Sequence, residues 1–417
     1  MPKSAKHDLI VYGASSFVGQ ILCQYLLQRF GVDGELRWAI AGRSQAQLAA
    51  VKAQLGPQAA SLSILIAEGT DALALAKLCQ STRAIVSTVG PYALYGSALV
   101  QACVENGTDY CDLTGEPQWI GKMLTQFEAA AQQSGARIVH SCGFDSIPSD
   151  LGVDFLQRQC LAQFGEPAVH VKMRVKAMRG GLSGGTAASV LNAVKEATGS
   201  AAVRRELANP YSLCSQGDSA KTRQPNLRGV AFDPDFDAWL APFVMAAINT
   251  RIVHRSHSIQ AGRAHDYPWG EDFTYDEATL FAGGLKGRVA ASLMAAGIGG
   301  FMLASALPPS RWALKRFMLP GAGEGPSPKA QAHGFFDLRF LGKTRSGKTL
   351  RSQVTGDRDP GYGSTAKMLG EAAALLALKL PKKQLKGGFW TPATAFGPML
   401  VERLIKHAGL TFDVLEN

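Results

Sequence analysis

Gly13-Ala14-Ser15-Ser16-Phe17-Val18-Gly19 follows the apolar run Leu9-Ile10-Val11-Tyr12 and opens a segment with helical spacing. A strand that passes directly into a helix points the free N–H groups of the first helical turn beyond the strand end, where they bind anions. Gly13 is expected to make the tight turn and Gly19 to allow close contact between helix and strand. Ser15, Ser16, Phe17 and Val18 would then line a dinucleotide diphosphate. The middle glycine of the G-x-G-x-x-G pattern is absent, and the spacing is nearer Gly-x-x-Ser-x-x-Gly.

A second apolar run, Leu36 to Ala41, ends in Gly42-Arg43-Ser44 with no acid after it. An acid at that place would hold the ribose hydroxyls, whereas a guanidinium fork and a hydroxyl suit a 2′-phosphate. Gly42, Arg43 and Ser44 therefore predict NADP(H). The alternative is a solvated arginine at a helix start.

Strand candidates at 8–12, 36–41, 61–67, 84–89, 109–112 and 137–141 alternate with helical segments at 18–30, 44–55, 71–80, 96–106 and 117–134. That rhythm predicts an α/β fold, a Rossmann-type doubly wound parallel sheet over residues 1–150. Ligands of such sheets lie beyond the carboxyl ends of the strands. Those ends carry Gly13, Gly42, Asp71, Thr88 to Tyr92, Asp112 to Glu116 and Ser141 to Asp145. Asp71, Thr88, Val89, Gly90 and Pro91 join the expected cofactor-binding set.

The 417 residues, 46% hydrophobic, suffice for two domains with proper cores. The net charge of +10 favours anionic partners such as phosphorylated cofactors, thioester carriers or an anionic membrane. Nucleic acid is not expected, because the basic residues are dispersed and no recognition motif appears. Seven widely spaced cysteines read as reduced core residues, and without Cys-x-x-Cys or His-x-x-x-His no metal site is expected. Met1 to Asp8 is too short and polar for a signal peptide. The expected location is the cytoplasm, with peripheral contact to the inner face of a membrane.

After Asp150 the texture becomes that of an α+β domain for substrate and dimerisation, assigned to 151–385. It begins with a strand-like Val169 to Met178, a glycine-rich Gly180 to Gly185 and a small-residue helix from Thr186. A surface excursion at 209–236, strands at 333–341 and 348–356 and a helix at 363–380 follow. The tail 386–417, with a helix at 394–408, is expected to pack back on the first domain. Gly342-Lys343-Thr344-Arg345-Ser346-Gly347-Lys348-Thr349 satisfies the P-loop pattern by letter. Its flanks alternate with the period of strands, so a polar hairpin turn is expected there.

Val289 to Leu307 carries no charge and as a helix would be about 28 Å long, barely enough to span a bilayer. Basic and large apolar residues alternate from Arg311 to Leu319. The segment 289–319 reads either as an interfacial membrane anchor or as a buried core or dimer helix with a basic exit.

Several blocks together resemble the saccharopine dehydrogenase-like oxidoreductases, especially the branch that includes trans-acting enoyl reductases of lipid synthesis. They are the Gly13–Gly19 loop, Ala41 to Ser44, Thr88-Val89-Gly90-Pro91-Tyr92, Gly107 to Glu116 and Gly143 to Asp150. Ser183 to Thr186, Asp359-Pro360-Gly361-Tyr362 and Gly387 to Ala393 extend the resemblance over nearly the whole chain. The family commonly shows Gly-Ala-Thr-Gly-Phe-Thr-Gly in the first loop, so Ser15, Ser16 and Val18 depart from it, and serine favours positive φ less than glycine does. The resemblance implies a Rossmann-type domain, NADP(H), an apolar substrate and a homodimer.

Reduction of an enoyl thioester needs hydride delivery, carbonyl polarisation and a proton donor. Tyr92 is the first candidate for acid or orienting hydroxyl, or else an aromatic wall. Asp145 and Asp150 are carboxylate candidates that also suit helix capping. Tyr362 either reaches the cleft from the second domain or packs in a core. The leading expectation is an NADPH-dependent reductase of a lipophilic enoyl or acyl substrate. A saccharopine-type imine oxidoreductase would need Lys172, Arg174, Lys176 and Arg179 to converge on substrate carboxylates. The third reading is a non-catalytic, membrane- or lipid-associated nucleotide-binding scaffold.

Overall fold

The apolar run at residues 7–12 becomes the central strand of a parallel sheet, buried along its whole length because its neighbours and the helices on both faces exclude water. The structure, a computed structural model, describes residues 5–181, 183–214, 222–261, 269–270, 272–321 and 323–416. Leu182 of the glycine-rich segment, 215–221 of the expected excursion and 1–4 of the polar leader lie outside them. The sheet comprises β1 (His7–Tyr12), β2 (Trp38–Gly42), β3 (Ser63–Ile66), β4 (Thr82–Ser87), β5 (Asp109–Asp112) and β6 (Arg137–Val139). Their order is β3-β2-β1-β4-β5-β6, so the chain reverses direction across the sheet between β1 and β4. Helices Phe17–Phe30, Gln45–Leu55, Ala72–Gln80, Ser97–Glu105 and Pro117–Ser134 connect the strands.

A second, mixed sheet contains β7 (Ala168–Arg179), β8 (Ala231–Asp233), β9 (Ala238–Pro242), β10 (Thr274–Phe281), β11 (Phe335–Thr344), β12 (Thr349–Gly356) and β14 (Leu410–Leu415). It runs β14-β12-β11-β7-β10-β9-β8, with β7 and β10 parallel. The stretch with P-loop spelling is the turn between β11 and β12, which pair antiparallel from Lys343–Thr349 to Phe336–Gly356. Gly347 takes φ 90° there, and a strand rather than a helix follows, so no helix N-terminus faces a phosphate.

Two late pieces of chain return to the first sheet. β13 (Gly388–Trp390) pairs parallel with β6 and lies at its edge. Helix Thr365–Leu378, which the sequence reading groups with the second domain, packs against β1, β4, β5 and helix Phe17–Phe30. Nearly all of its residues are buried, which fits its alanine and leucine content. Its one carboxylate, Glu371, is fully buried and accepts from Tyr25 Oη at 2.6 Å and Arg29 Nε at 3.2 Å, with Arg403 Nη2 at 2.5 Å.

The apolar run belongs to helix Gly284–Ala306, and burial in the core is not what the structure shows. Leu293 and Leu303 are 70% and 65% exposed, and only Gly287, Ala291 and Ser305 are buried. The tail, expected as one helix over 394–408, is broken into short pieces at Pro392–Ala395 and Pro398–Arg403 with a π turn after them, because Gly397 and Pro398 interrupt it.

Glu371→Ala leaves two guanidinium groups facing an apolar gap. Chemical denaturation should show a loss of about 3 kcal/mol relative to the parent chain.

Candidate active site

The turn after β1 is built by two close approaches. A Cβ on Gly13 would lie 2.5 Å from Val89 Cγ2, and Gly13 takes φ +86°. A Cβ on Gly19 would lie 2.3 Å from the Gly13 carbonyl oxygen. Both positions therefore require glycine. Ser16 does not: its φ is −67° and ψ 161°, extended backbone open to any residue. The expected weakness of serine at positive φ therefore does not arise. Ser16 is instead the N-cap, accepting from Gly19 N at 2.9 Å and donating to Thr88 Oγ1 at 2.9 Å, while Thr88 donates to the Gly13 carbonyl at 2.9 Å. The first-turn amides of Phe17 and Val18 have no carbonyl a turn behind them to reach. This helix end carries no acid in its first turn, so its positive end stays available to an anion.

At the end of β2, Gly42 is buried, Arg43 is exposed and Ser44 is half-buried. Ser44 caps helix Gln45–Leu55, accepting from Gln47 N at 3.3 Å. Arg43 forms no ion pair among the described residues and no acid stands beside it in the chain. Asp71 is exposed and caps helix Ala72–Gln80 through Ala74 N at 3.0 Å. The fork, the two glycines and the helix end suit a dinucleotide bearing a 2′-phosphate.

Thr88, Val89, Gly90 and Pro91 follow β4; Thr88 and Val89 lie against the loop of Gly13, while Gly90 faces Tyr92 and Ser189. Tyr92 is buried, and its hydroxyl donates to the Ser87 carbonyl at 2.9 Å while its ring leans on Trp119 at 5.3 Å. Burial, with Asp112, Asp145 and Glu116 nearby, pushes its hydroxyl well above the ordinary tyrosine range. Tyr92 is thus placed as a packed wall with its proton committed to the backbone. Sequence reasoning missed what holds it. Glu116, buried, accepts from Tyr92 N, Ala93 N and Ser189 Oγ, each at 2.9 Å. It lay in a segment already singled out by its place at a strand end.

Asp145 follows β6 and is half-buried, its carboxylate close to Gly115 and Gly143. Burial first, then Asp112 and Glu116, raises it to about 7, and its one donor among the described residues is its own backbone N–H. Asp112 differs: Thr114 N and Ser141 N donate to it at 3.1 and 3.0 Å, and His140 Nδ1 lies 2.7 Å away. Ser141 takes φ 60°, a strained conformation for serine, held by that bond and by donation to the Thr114 carbonyl at 2.7 Å. Asp150 is fully buried and accepts from Ser256 Oγ and Ala393 N at 2.5 and 2.7 Å, which makes it a structural tie to the tail.

Tyr362 is buried, and its hydroxyl accepts from Ser183 N and lies 3.0 Å from Thr186 Oγ1. Its ring meets Phe17 edge to face at 5.2 Å, so it clamps the phosphate loop to the second sheet. The amides of Ser183 and Gly184 are engaged by Tyr362 and the Glu324 carbonyl and are not free for an anion. Three of the four basic residues of the cluster on β7 are engaged by acids, while Arg179, exposed at the strand end, forms no ion pair among the described residues. Lys172 pairs with Asp233 and Asp235, Arg174 with Asp233 and Asp276, and Lys176 faces Asp337.

Gly19→Ala should cost about 1–3 kcal/mol of stability by overpacking and weaken NADPH about tenfold or more by displacing the loop amides. Arg43→Ala should weaken NADPH about tenfold or more and leave NADH unchanged in a fluorescence titration. Equal loss for both cofactors would place Arg43 away from the 2′-phosphate.

Residues 9–139 match the saccharopine dehydrogenase NADP-binding domain. A Mycobacterium tuberculosis protein provisionally named a trans-acting enoyl reductase is 36% identical over 409 residues, 95% of each chain. A trans-acting enoyl reductase of Mycobacterium ulcerans is 34% identical over 414 residues, again 95% of each chain. Among solved structures, saccharopine dehydrogenase (L-Glu forming) of Saccharomyces cerevisiae shares the fold. Its TM-score is 0.54 at 13% identity, covering 98% of this chain and 99% of the other. With its nucleotide loop, its Arg43 and its likeness along almost the whole length, the chain belongs to the trans-acting enoyl reductase family, built on a saccharopine dehydrogenase-type NADP-binding domain.

Proposed function

We propose that the protein is an NADPH-dependent reductase of enoyl thioesters with lipophilic acyl chains, and that Asp145 is its proton donor. The observation that carries the reading is the placement of Asp145, a partly exposed carboxyl just past the end of β6 beside Gly115, which burial raises to about 7. Bound NADPH would supply a hydride to the β-carbon. The double-bond electron pair then moves toward the thioester carbonyl, and the α-carbon takes its proton from the Asp145 carboxyl, leaving a carboxylate that solvent reprotonates. The names of the mycobacterial relatives support the substrate class. The pairing of Lys172, Arg174 and Lys176 with acids leaves only Arg179 of the four cations that the imine oxidoreductase reading needs.

The sign of the pH dependence follows from the direction of the shift. Asp145 is protonated below about 7 and ionised above it, so kcat should be highest on the acid side and fall as pH rises through that value. Asp145→Asn should lower kcat by about 10²–10⁴ and remove this limb, with NADPH affinity retained. NADPH oxidation by enoyl thioesters of graded chain length is the assay. Tight NADPH binding with no turnover at any length would reject the reductase and leave a nucleotide-binding scaffold.

A further inference from the structure

Helix Gly284–Ala306 is held to the body at both ends. Gly287 and Ala291 near its start and Ser305 near its close are buried. Between those anchors its outer face is apolar and uncovered, with Leu293 70% and Leu303 65% exposed. The chain continues through Pro308–Ala313 and the π turn Leu314–Met318, where Trp312, Phe317 and Met318 are 63%, 70% and 76% exposed. A helix tied at both ends to one body lies along its surface and does not cross a bilayer, although its length and mean hydropathy of 1.7 would suffice. Apolar surface this continuous calls for a cover.

Charge decides which cover fits. From Ala278 to Gly323 there is no Asp or Glu, while Lys286, Arg288, Arg311, Lys315 and Arg316 supply five positive charges, half of the chain's net +10. A twofold dimer through this face would set these cations against their own copies in a desolvated interface, which is repulsive. An anionic lipid surface instead neutralises them while the tryptophan and phenylalanine settle at the headgroup level. We propose that this face docks the protein on an anionic membrane.

The same element leads to the site. Two residues beyond Met318 the chain reaches Pro320, which with Gly323 to Pro328, Phe17 and Gly181 lines a cleft of about 610 Å³. Phe17 belongs to the nucleotide loop, and a Cβ on Gly325 would lie 2.4 Å from its ring. Docking therefore sets the mouth of that cleft beside the lipid. This consequence alone rests on the enoyl reductase reading.

The test is co-sedimentation of the full chain with vesicles of phosphatidylcholine, alone or mixed with phosphatidylglycerol, at low and high salt, with no turnover needed. Binding is expected only to the mixed vesicles and should weaken with salt. Lys315→Glu with Arg316→Glu should weaken it about thirtyfold or more, and Trp312→Ala with Phe317→Ala should abolish it. Unchanged NADPH affinity shows that both variants are folded. Absence of binding to the mixed vesicles overturns the proposal, as does binding that neither variant reduces. A dimer that the Trp312/Phe317 variant splits, with no vesicle binding by the parent chain, would show that a second copy covers the face.

Discussion

Everything at the carboxyl end of the first sheet depends on how closely the Gly13 carbonyl approaches the backbone at Gly19. That contact fixes the pitch at which helix Phe17–Phe30 leaves β1, and so the direction of its first-turn amides. Ser16 and Thr88 then hook the loop to β4, while Phe17 leans on Tyr362. Three distant stretches of chain are thus registered on one turn. A shift there would propagate to the second sheet as well as to the nucleotide.

Three carboxylates share the strand ends, and their donors separate them. Glu116 receives two amides and a hydroxyl, and burial still raises it above the ordinary range. Asp112 receives two amides and sits against His140. Among the described residues Asp145 has only its own N–H, so the cost of holding a charge there is the least offset of the three. One kind of side chain is held in three different ways according to what surrounds it.

Most of the first sheet was legible because its strands are short, largely apolar runs ending in turn signals, whereas β13, three residues long and paired with β6 from far along the chain, was not. Gly13 and Gly19 could be found for the same reason: the close approaches that demand glycine there depend on position relative to one strand. Tyr92 could not be settled, since its hydroxyl is claimed by the carbonyl of Ser87 and its amide by Glu116, a partner 24 residues away. Ser16 misled in the opposite direction, because family spacing suggested a glycine conformation that position 16 does not adopt. The place of helix Thr365–Leu378 on the first sheet is a matter of packing between segments hundreds of residues apart, and periodicity reports only that such a helix has an apolar face.

β13 has a consequence for how the molecule comes into being on the ribosome. It pairs with β6 through Gly388–Arg137 and Trp390–Val139, and helix Thr365–Leu378 covers the sheet made by the opening segments. Until residues 365–390 have emerged, the sheet has a bare parallel edge and an uncovered apolar face, the features that invite pairing with other nascent chains. Completion of the nucleotide-binding sheet therefore waits for residues 365–390, although its other strands lie before residue 140.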